Sequence, residues 1–341
     1  MSDPEILFAR RGAAGVVTLN RPQALNAVTH GMVLALRAQL DAWRDDPAIT
    51  RVVVTAAGER AFSAGGDLRA LYDAGRAGRY EEALDFWRDE YALNAAIKHY
   101  PKPYVALIDG IVMGGGVGIS IHGSHRVAGD RFQFAMPEVG IGFFPDIGAT
   151  WFLPRLPGEI GAYCALTAER LRADDAVAGG VATHRVCSSR FAELVDGLAG
   201  TVPVDALLAA FAEPPGEGPV ALMRGTIDRL FAADTVEAIV AALDAGGEGA
   251  RAAIIRAKAP RSLKIALAQM RRGRHLSFDD CMRAEFRIVS RIVRGEDFYE
   301  GVRAVIVDKD NAPRWRPTTL AEVSDAEVER HFAPIAHELA L

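Results

Sequence analysis

The chain has 341 residues, half of them hydrophobic and about a quarter charged, with a formal net charge of -5. Such usage is typical of a globular protein with a large core, and the acidic balance argues against a general nucleic-acid binder. No uncharged apolar run reaches the roughly 18 residues of a membrane span, and the N-terminal residues lack the order of a secretory signal peptide.

The cysteines and histidines give no sign of a metal or disulfide framework. Three cysteines are scattered without a CxxC pair, which favours small buried hydrophobes in a reducing compartment, and we predict a cytoplasmic location. His122 and His125 are three residues apart but have no companion ligand at a suitable spacing, so no metal site is expected.

Strands and helices alternate along the first half of the chain. Apolar, β-branched runs predict strands at residues 6–9, 16–20 and 51–56, and Thr29 is a suitable cap for the amphipathic helix between the last two. A long amphipathic helix is predicted over residues 79–99, and a buried strand follows at residue 104. The recurrence of strand, turn and helix at about fifty-residue intervals indicates a layered α/β fold of repeated units.

The second half of the chain has mainly helical sequence patterns. Helical patterns are predicted at residues 148–158 and at 159–171, the latter ending near Arg170, and helices dominate beyond about residue 205. We therefore predict an α/β core over residues 1–205 and a helical region over residues 206–341.

Two glycine turns follow buried strands. Gly65 and Gly66 precede a helix predicted to begin near Asp67, and Gly114 to Gly116 precede an apolar helix. Glycines let a backbone approach a ligand closely, although a pair between strand and helix is also common as a simple turn. The glycines match neither the Walker loop nor the dinucleotide fingerprint. Two interpretations of the glycine turns therefore remain, a phosphate-binding loop of another type and an oxyanion hole.

Two carboxylates, Glu138 and Asp146, lie eight residues apart in the apolar stretch after the second glycine turn. Burial and mutual repulsion raise the proton affinity of such acids, as a group that transfers protons near neutrality requires. The plainer reading is a pair of loop carboxylates, and Asp146 suits the cap of the helix that follows as well as it suits catalysis. The nucleophile motif GxSxG of common serine hydrolases does not occur.

These residues together resemble the crotonase (enoyl-CoA hydratase/isomerase) superfamily. The stretches that carry the resemblance are LNRPQALNA, FSAGGDL, the strand-GGG-helix unit and PEVGIGFFPDIG, and the likeness covers nearly the whole chain. FWRDEYALN and GEDFYEGVRAVIVDKDNAPRW are most similar to the 3-hydroxyisobutyryl-CoA hydrolase branch. The resemblance implies a spiral of ββα units with a helical C-terminal region that binds an acyl-CoA thioester.

The resemblance also implies roles for individual residues. Gly66 and Gly115 match the positions whose amides form an oxyanion hole, Glu138 matches a catalytic glutamate, and Asp146 and Glu90 match its acidic partner and a substrate contact. The residues that match the segments holding the adenine and pantetheine ends of the substrate are Ala24, Leu25, Ala64, Asp67 and Leu68. Coenzyme A enters as part of the substrate, so no separate cofactor is expected.

Gly118 departs from the hydratase pattern, which has a second glutamate at that position. Adding water across a double bond needs two such groups, whereas Glu138 and Asp146 suffice for thioester hydrolysis. We therefore predict hydrolysis of 3-hydroxyisobutyryl-CoA, as in valine breakdown, with Glu138 as nucleophile or base. The alternatives are a hydratase or isomerase of the same superfamily and a non-catalytic acyl-CoA-binding protein. The superfamily implies homo-oligomers, but the C-terminal helices do not force a choice.

Overall fold

The computed structural model describes residues 3–341, and these cluster into two compact units that are both discontinuous in sequence. The first unit comprises the described residues up to Gly66 together with Leu93–Phe134 and Arg170–Leu222. The second unit comprises Asp67–Ala92, Ala135–Glu169 and Met223–Leu341. Neither unit follows the predicted cut near residue 205, because segments before that residue contribute to both units. The boundary near residue 205 between an α/β core and a helical region stays a prediction.

Short strands form the framework of the first unit. In chain order they are β1 (Ile6–Arg11), β2 (Ala14–Leu19), β3 (Arg51–Ala56), β4 (Ala61–Ser63), β5 (Tyr104–Ile108), β6 (Ile111–Met113), β7 (His125–Ala128), β8 (Gln133–Ala135), β9 (Leu171–Arg172) and β10 (His184–Arg185). One sheet has the order β1-β2-β3-β5-β7-β10 and a second has the order β4-β6-β8-β9. The predicted β1 and β2 are confirmed, but they extend further towards each other and leave a tighter turn at Gly12.

The larger sheet is parallel from β2 to β10, and β1 pairs antiparallel with β2. Strands buried on both faces of a parallel sheet are expected to be continuous apolar runs, and β5 is buried at all five positions. Consecutive strands alternate between the sheets: β3 and β5 belong to the larger sheet, and the strands that follow them, β4 and β6, belong to the smaller one. The predicted α/β arrangement of repeated units is confirmed.

Helices connect these strands and make up most of the second unit. The first nine are α1 (His30–Asp45), α2 (Leu68–Arg76), α3 (Tyr80–Lys98), α4 (Gly115–Ser120), α5 (Ala149–Phe152), α6 (Ile160–Thr167), α7 (Ala173–Ala178), α8 (Phe191–Leu198) and α9 (Val204–Phe211). The rest are α10 (Pro219–Leu222), α11 (Arg224–Leu230), α12 (Val236–Ala245), α13 (Gly249–Arg256), α14 (Pro260–Gly273), α15 (Phe278–Ile292), α16 (Asp297–Val302) and α17 (Asp325–Phe332). Among residues 3–341, none of these helices is both long and apolar enough to span a bilayer.

Several predicted helix ends are confirmed by their caps. The side chain of Thr29 accepts a hydrogen bond from Met32 N at the start of α1, and Asp67 accepts one from Ala70 N at the start of α2. The predicted helix at residues 159–171 is too long, because Ala168 is left-handed with φ of 60° and ends α6 at Thr167.

Within the second unit, an aromatic cluster supports the segment that follows Glu138. The rings of Trp87 and Phe143 are stacked with centroids 5.6 Å apart, and Phe298 lies 5.3 Å from Phe143. All three side chains are buried. Aromatic pairs of this kind contribute about 0.5–1.5 kcal/mol to stability beyond the effect of their buried area. The cluster therefore holds α3, α16 and the segment that follows Glu138 together.

Candidate active site

The triple glycine of the first unit forms the start of α4. Gly114 has φ of 43° and ψ of -126°, a conformation that a side chain would strain, and its carbonyl accepts from Val117 N at 2.7 Å. Gly115 and Gly116 form the first turn of α4, where helix amides have no partner within the helix itself. A Cβ at Gly116 would lie 2.6 Å from both the Cβ and the carbonyl oxygen of Ser63, so α4 packs directly on β4.

The glycine turn at Gly65 and Gly66 lies against the triple glycine in the same unit. A Cβ on Gly65 would stand 3.9 Å from the amide nitrogen of Gly115, and Gly65 has φ of 118°. Gly66 pairs with Val28 in an isolated bridge. Ala64 N donates to Leu25 O at 3.0 Å, so the segment that contains Ala24 and Leu25 adjoins this turn. The structure therefore brings together the predicted residues of the first unit.

Three of the predicted site residues are acids that lie buried in the second unit. Glu90 on α3 is 3 % exposed, Glu138 on a short 3-10 turn is 5 % exposed and Asp146 in the following loop is 4 % exposed. Within residues 3–341, Glu90 Oε1 and Glu138 Oε2 have no hydrogen-bond partner. Buried polar atoms normally have partners, so two unsatisfied carboxyl oxygens in one region are consistent with a site for a ligand or water.

Asp146 has a partner that the sequence analysis did not identify. The hydroxyl of Tyr91, which is fully buried, donates to Asp146 Oδ2 at 2.8 Å. The cap reading of Asp146 is wrong, because Gly148 occupies the cap position of α5 and the helix start has no side-chain cap. The carboxylate points instead to a buried hydroxyl, and only the backbone carbonyl of Asp146 accepts from Ala149 N.

The loop from residue 145 to 150 is held by two fully buried side chains of the C-terminal helices. Glu285 on α15 accepts from Gly148 N at 2.7 Å and Thr150 N at 2.8 Å. Gln269 on α14 donates to Pro145 O at 2.9 Å and to Thr150 Oγ1 at 2.7 Å. The loop also contains Ile147 with φ of 54°, which is unfavourable for a β-branched residue and persists only where surrounding contacts impose it.

The acid cluster consists of Glu90, Glu138, Asp146 and Glu285, and burial raises the pKa of each of these four carboxyl groups. The pKa values of Glu90 and Glu138 are raised well above the usual range by burial first and by the charge of Asp146 second. Burial raises the pKa of Asp146 to about 7, against the hydrogen bond from Tyr91, which lowers it. The pKa of Glu285 is raised to about 8 by burial and by Asp146, against the lowering effect of its backbone donors.

These shifts predict that the protein becomes less stable as pH rises. A carboxyl whose folded pKa lies above its unfolded value stabilises the fold below the unfolded pKa, and this stability is lost as pH rises through the folded pKa. For Asp146, the rise from 3.8 to about 7 corresponds to a loss on the order of 4 kcal/mol between pH 4 and pH 8. Urea unfolding across this range measures the slope. Glu285→Gln should flatten it, and a free energy of unfolding that rises towards pH 8 would contradict the prediction.

Sequence reasoning missed Tyr91, Glu285 and Gln269. Tyr91 lies within the helix predicted over residues 79–99, but no local pattern pairs its hydroxyl with a residue 55 positions away. Glu285 did leave a signal, because it lies four residues from both Cys281 and Val289 and therefore on the apolar face of α15. An acid on such a face needs partners, and here they are backbone amides.

The fold, the glycine turns and the buried acids define a crotonase-type enzyme. The sequence profile of the enoyl-CoA hydratase/isomerase family matches residues 14–332, and the chain belongs to this family. The resemblance described from the sequence is therefore confirmed. Among residues 3–341, no group of three His, Cys, Asp or Glu side chains is arranged to hold a metal ion.

Eight curated relatives that are 41–45% identical to the chain share one name. It is 45% identical to the mitochondrial 3-hydroxyisobutyryl-CoA hydrolase of Danio rerio, covering 97% of this chain and 90% of the relative. It is 41% identical to the protein of that name from Homo sapiens, covering 96% and 88%. The predicted cytoplasmic location is contradicted, because these relatives are named as mitochondrial. Scattered free cysteines distinguish only oxidising from reducing compartments and could not decide this.

Solved structures of similar fold carry other enzyme names. A carnitinyl-CoA dehydratase from Mycobacterium thermoresistibile superposes with a TM-score of 0.95 at 44% identity, covering 99% of both chains. An enoyl-CoA hydratase from Rhodobacter sphaeroides 2.4.1 gives a TM-score of 0.93 at 38% identity, covering 99% of this chain and 100% of the other. The predicted fold is confirmed.

Proposed function

We propose that the protein hydrolyses the thioester of 3-hydroxyisobutyryl-CoA to 3-hydroxyisobutyrate and coenzyme A. The observation that carries this proposal is the buried acid pair Glu138 and Asp146 combined with a glycine, Gly118, in the middle of α4. The shared name of the curated relatives supports the same reaction and acyl group. A place in valine breakdown follows from the chemistry of that acyl group.

The amides of Gly66 and Gly115 are the proposed oxyanion hole. Both lie in adjoining glycine turns, where no side chain limits the approach of a thioester carbonyl. Removal of one donor from such a pair typically costs about 2.7–4 kcal/mol of barrier stabilisation. Polarisation of the carbonyl in this way prepares it for attack by a carboxylate or by water.

Glu138 attacks the carbonyl to form an anhydride or activates a water molecule, and Asp146 orients that water or the hydroxyl of the substrate. Glu90 contacts the acyl group. The residues proposed to hold the adenine and pantetheine ends are Ala24, Leu25, Ala64, Asp67 and Leu68. Water and the substrate supply every atom that is needed, so the proposal includes no resident cofactor. Assembly into homo-oligomers is proposed only because members of the superfamily often form them.

Hydration of an enoyl-CoA is the second candidate, favoured by the names of the two solved structures. Hydratases of the superfamily carry a second glutamate at the position of Gly118, and the sequence of α4, GGVGIS, holds no acid. Incubation with crotonyl-CoA distinguishes the two reactions. We expect the ultraviolet absorbance of the conjugated enoyl thioester to persist, whereas its rapid loss without thiol release would establish a hydratase.

A non-catalytic acyl-CoA-binding protein is the third candidate. Both buried acids would then be without function, although their burial destabilises the fold near neutrality. A folded protein that binds coenzyme A in calorimetry but leaves a panel of acyl-CoA thioesters intact would establish this reading. Thiol release from any member of the panel would exclude it.

A further inference from the structure

The hydrogen bonds of the acid cluster distinguish Asp146 from its neighbours. Asp146 Oδ2 accepts from the Tyr91 hydroxyl at 2.8 Å, whereas in the described part of the chain Glu138 Oε2 and Glu90 Oε1 have no partner. A donor stabilises the ionised form of a carboxyl. Asp146 accepts from the Tyr91 hydroxyl and from its own backbone N–H, whereas Glu138 accepts from its own backbone N–H without a side-chain donor on Oε2 within residues 3–341. The arrangement therefore favours a negative charge on Asp146 when the cluster carries one.

The loop geometry keeps this carboxylate in place. Glu285 binds the amides of Gly148 and Thr150, and Gln269 binds the carbonyl of Pro145, so both sides of Asp146 are tied to C-terminal helices. All these contacts lie within the second unit. A group that is fixed in this way can accept a proton repeatedly from the same position, which is a requirement for an efficient general base.

We propose that Tyr91 is a positioning residue that makes Asp146, rather than Glu138, the charged acid of the free enzyme. Asp146 then acts as the base towards water, and Glu138 keeps its proton until it gives it to the leaving sulfur. This inference rests on the thioester hydrolysis proposed above and selects one mechanism from the two left open there.

The proposed step balances without any further reactant. The oxygen of water bonds to the carbonyl carbon while one of its protons passes to Asp146. The carbon–sulfur bond then breaks, its electron pair leaves with sulfur, and sulfur takes the proton of Glu138. The products are the carboxylic acid and the thiol of coenzyme A. Transfer of one proton from Asp146 to Glu138 through solvent restores the starting state.

The pH dependence has opposite signs for the two mechanisms. The groups that face Asp146 are Tyr91 and Glu90 from α3, Glu138 from the preceding turn and Glu285 from α15. If Asp146 is the base, activity rises as pH passes through its pKa of about 7, and loss of the Tyr91 donor moves this rise to higher pH. A more weakly acidic Asp146 repels Glu138 less, so a rise caused by ionisation of Glu138 would move to lower pH.

The variant Tyr91→Phe tests in which direction the rise of activity with pH moves when the donor to Asp146 is lost. We expect the rising limb of kcat/KM for 3-hydroxyisobutyryl-CoA to shift upward by about one pH unit, from the loss of one hydrogen bond to a charged group. Activity below the limb should fall about tenfold, and the plateau should stay close to that of the parent. Tyr100→Phe is the matched control, because its hydroxyl donates to the carbonyl of Leu40 on α1, and its profile should not move.

A limb that moves to lower pH or stays in place overturns the proposal, as does an equal loss of activity at every pH. Turnover of the parent enzyme in heavy-oxygen water is a second test that needs no variant to fold. Label enters the released acid by either mechanism, so the deciding result is the peptide that contains Glu138. We expect no label there, and label in that peptide reveals an anhydride opened at the Glu138 carbonyl and overturns the proposal. If the parent releases no thiol at all, the proposed hydrolysis itself fails.

Discussion

Glu138→Gln should reduce thioester hydrolysis by at least 10²–10⁴-fold, the range that a positioned proton-transfer group contributes. The expected loss is the same whether Glu138 attacks the carbonyl, activates water or protonates sulfur, because an amide performs none of these steps. Glu138→Ala should be equally inactive. The rate is measured as free thiol with a trapping dye at saturating substrate.

Folding of Glu138→Gln should be preserved. Glutamine has nearly the same shape and cannot ionise, so it removes the cost of placing a charge at a buried site. Its free energy of unfolding at pH 8 should match or exceed that of the parent. Glu193→Gln serves as a control, since this exposed acid pairs with Arg190 on the surface and its replacement should leave both stability and rate unchanged. Full hydrolysis by Glu138→Gln would refute the assignment.

Gly116→Ala should reduce kcat/KM by about 10²-fold or more, on the scale of one lost oxyanion donor. The new methyl group would lie 2.6 Å from the carbonyl oxygen of Ser63, which belongs to the backbone and cannot rotate away. Either α4 or β4 must move, and the turn that follows β4 carries Gly66. The free energy of unfolding should also fall, by about 1–3 kcal/mol as for other overpacked cores.

Gly225→Ala is the matched control for this substitution. Gly225 lies within α11, and a Cβ there would meet nothing within 4 Å. Alanine is the better helix former, so stability should stay equal or rise by up to about 1 kcal/mol, with unchanged activity. If Gly116→Ala retained the parent kcat/KM despite a lower stability, close packing at the glycine turn would have no catalytic purpose.

Much of the architecture was predictable because it depends on local patterns. Apolar runs identified the strands of the parallel sheet, Thr29 caps its helix as predicted, and a helix begins after Asp67 where one was predicted. Glycine turns are similarly informative, since positive φ at Gly65 and Gly114 leaves few other residues acceptable. Glu138 was recognisable as an acid in an apolar stretch, and its burial is confirmed.

The support of the site was not predictable because it depends on contacts between distant residues. Asp146 has the sequence context of a helix cap, and only the position of Tyr91, 55 residues earlier, shows why its carboxylate points elsewhere. The clamp formed by Glu285 on Gly148 joins residues 137 positions apart. Likewise, the two compact units each combine separate segments, which no shift of composition along the chain reveals.

The most direct test of the central claim is a comparison of free-thiol release from 3-hydroxyisobutyryl-CoA, 3-hydroxypropionyl-CoA and crotonyl-CoA. The acid pair of Glu138 and Asp146 with a glycine at position 118 predicts rapid release from the first, release from the second and almost none from crotonyl-CoA. Loss of the crotonyl absorbance together with no thiol from either hydroxyacyl substrate would contradict the proposed hydrolase.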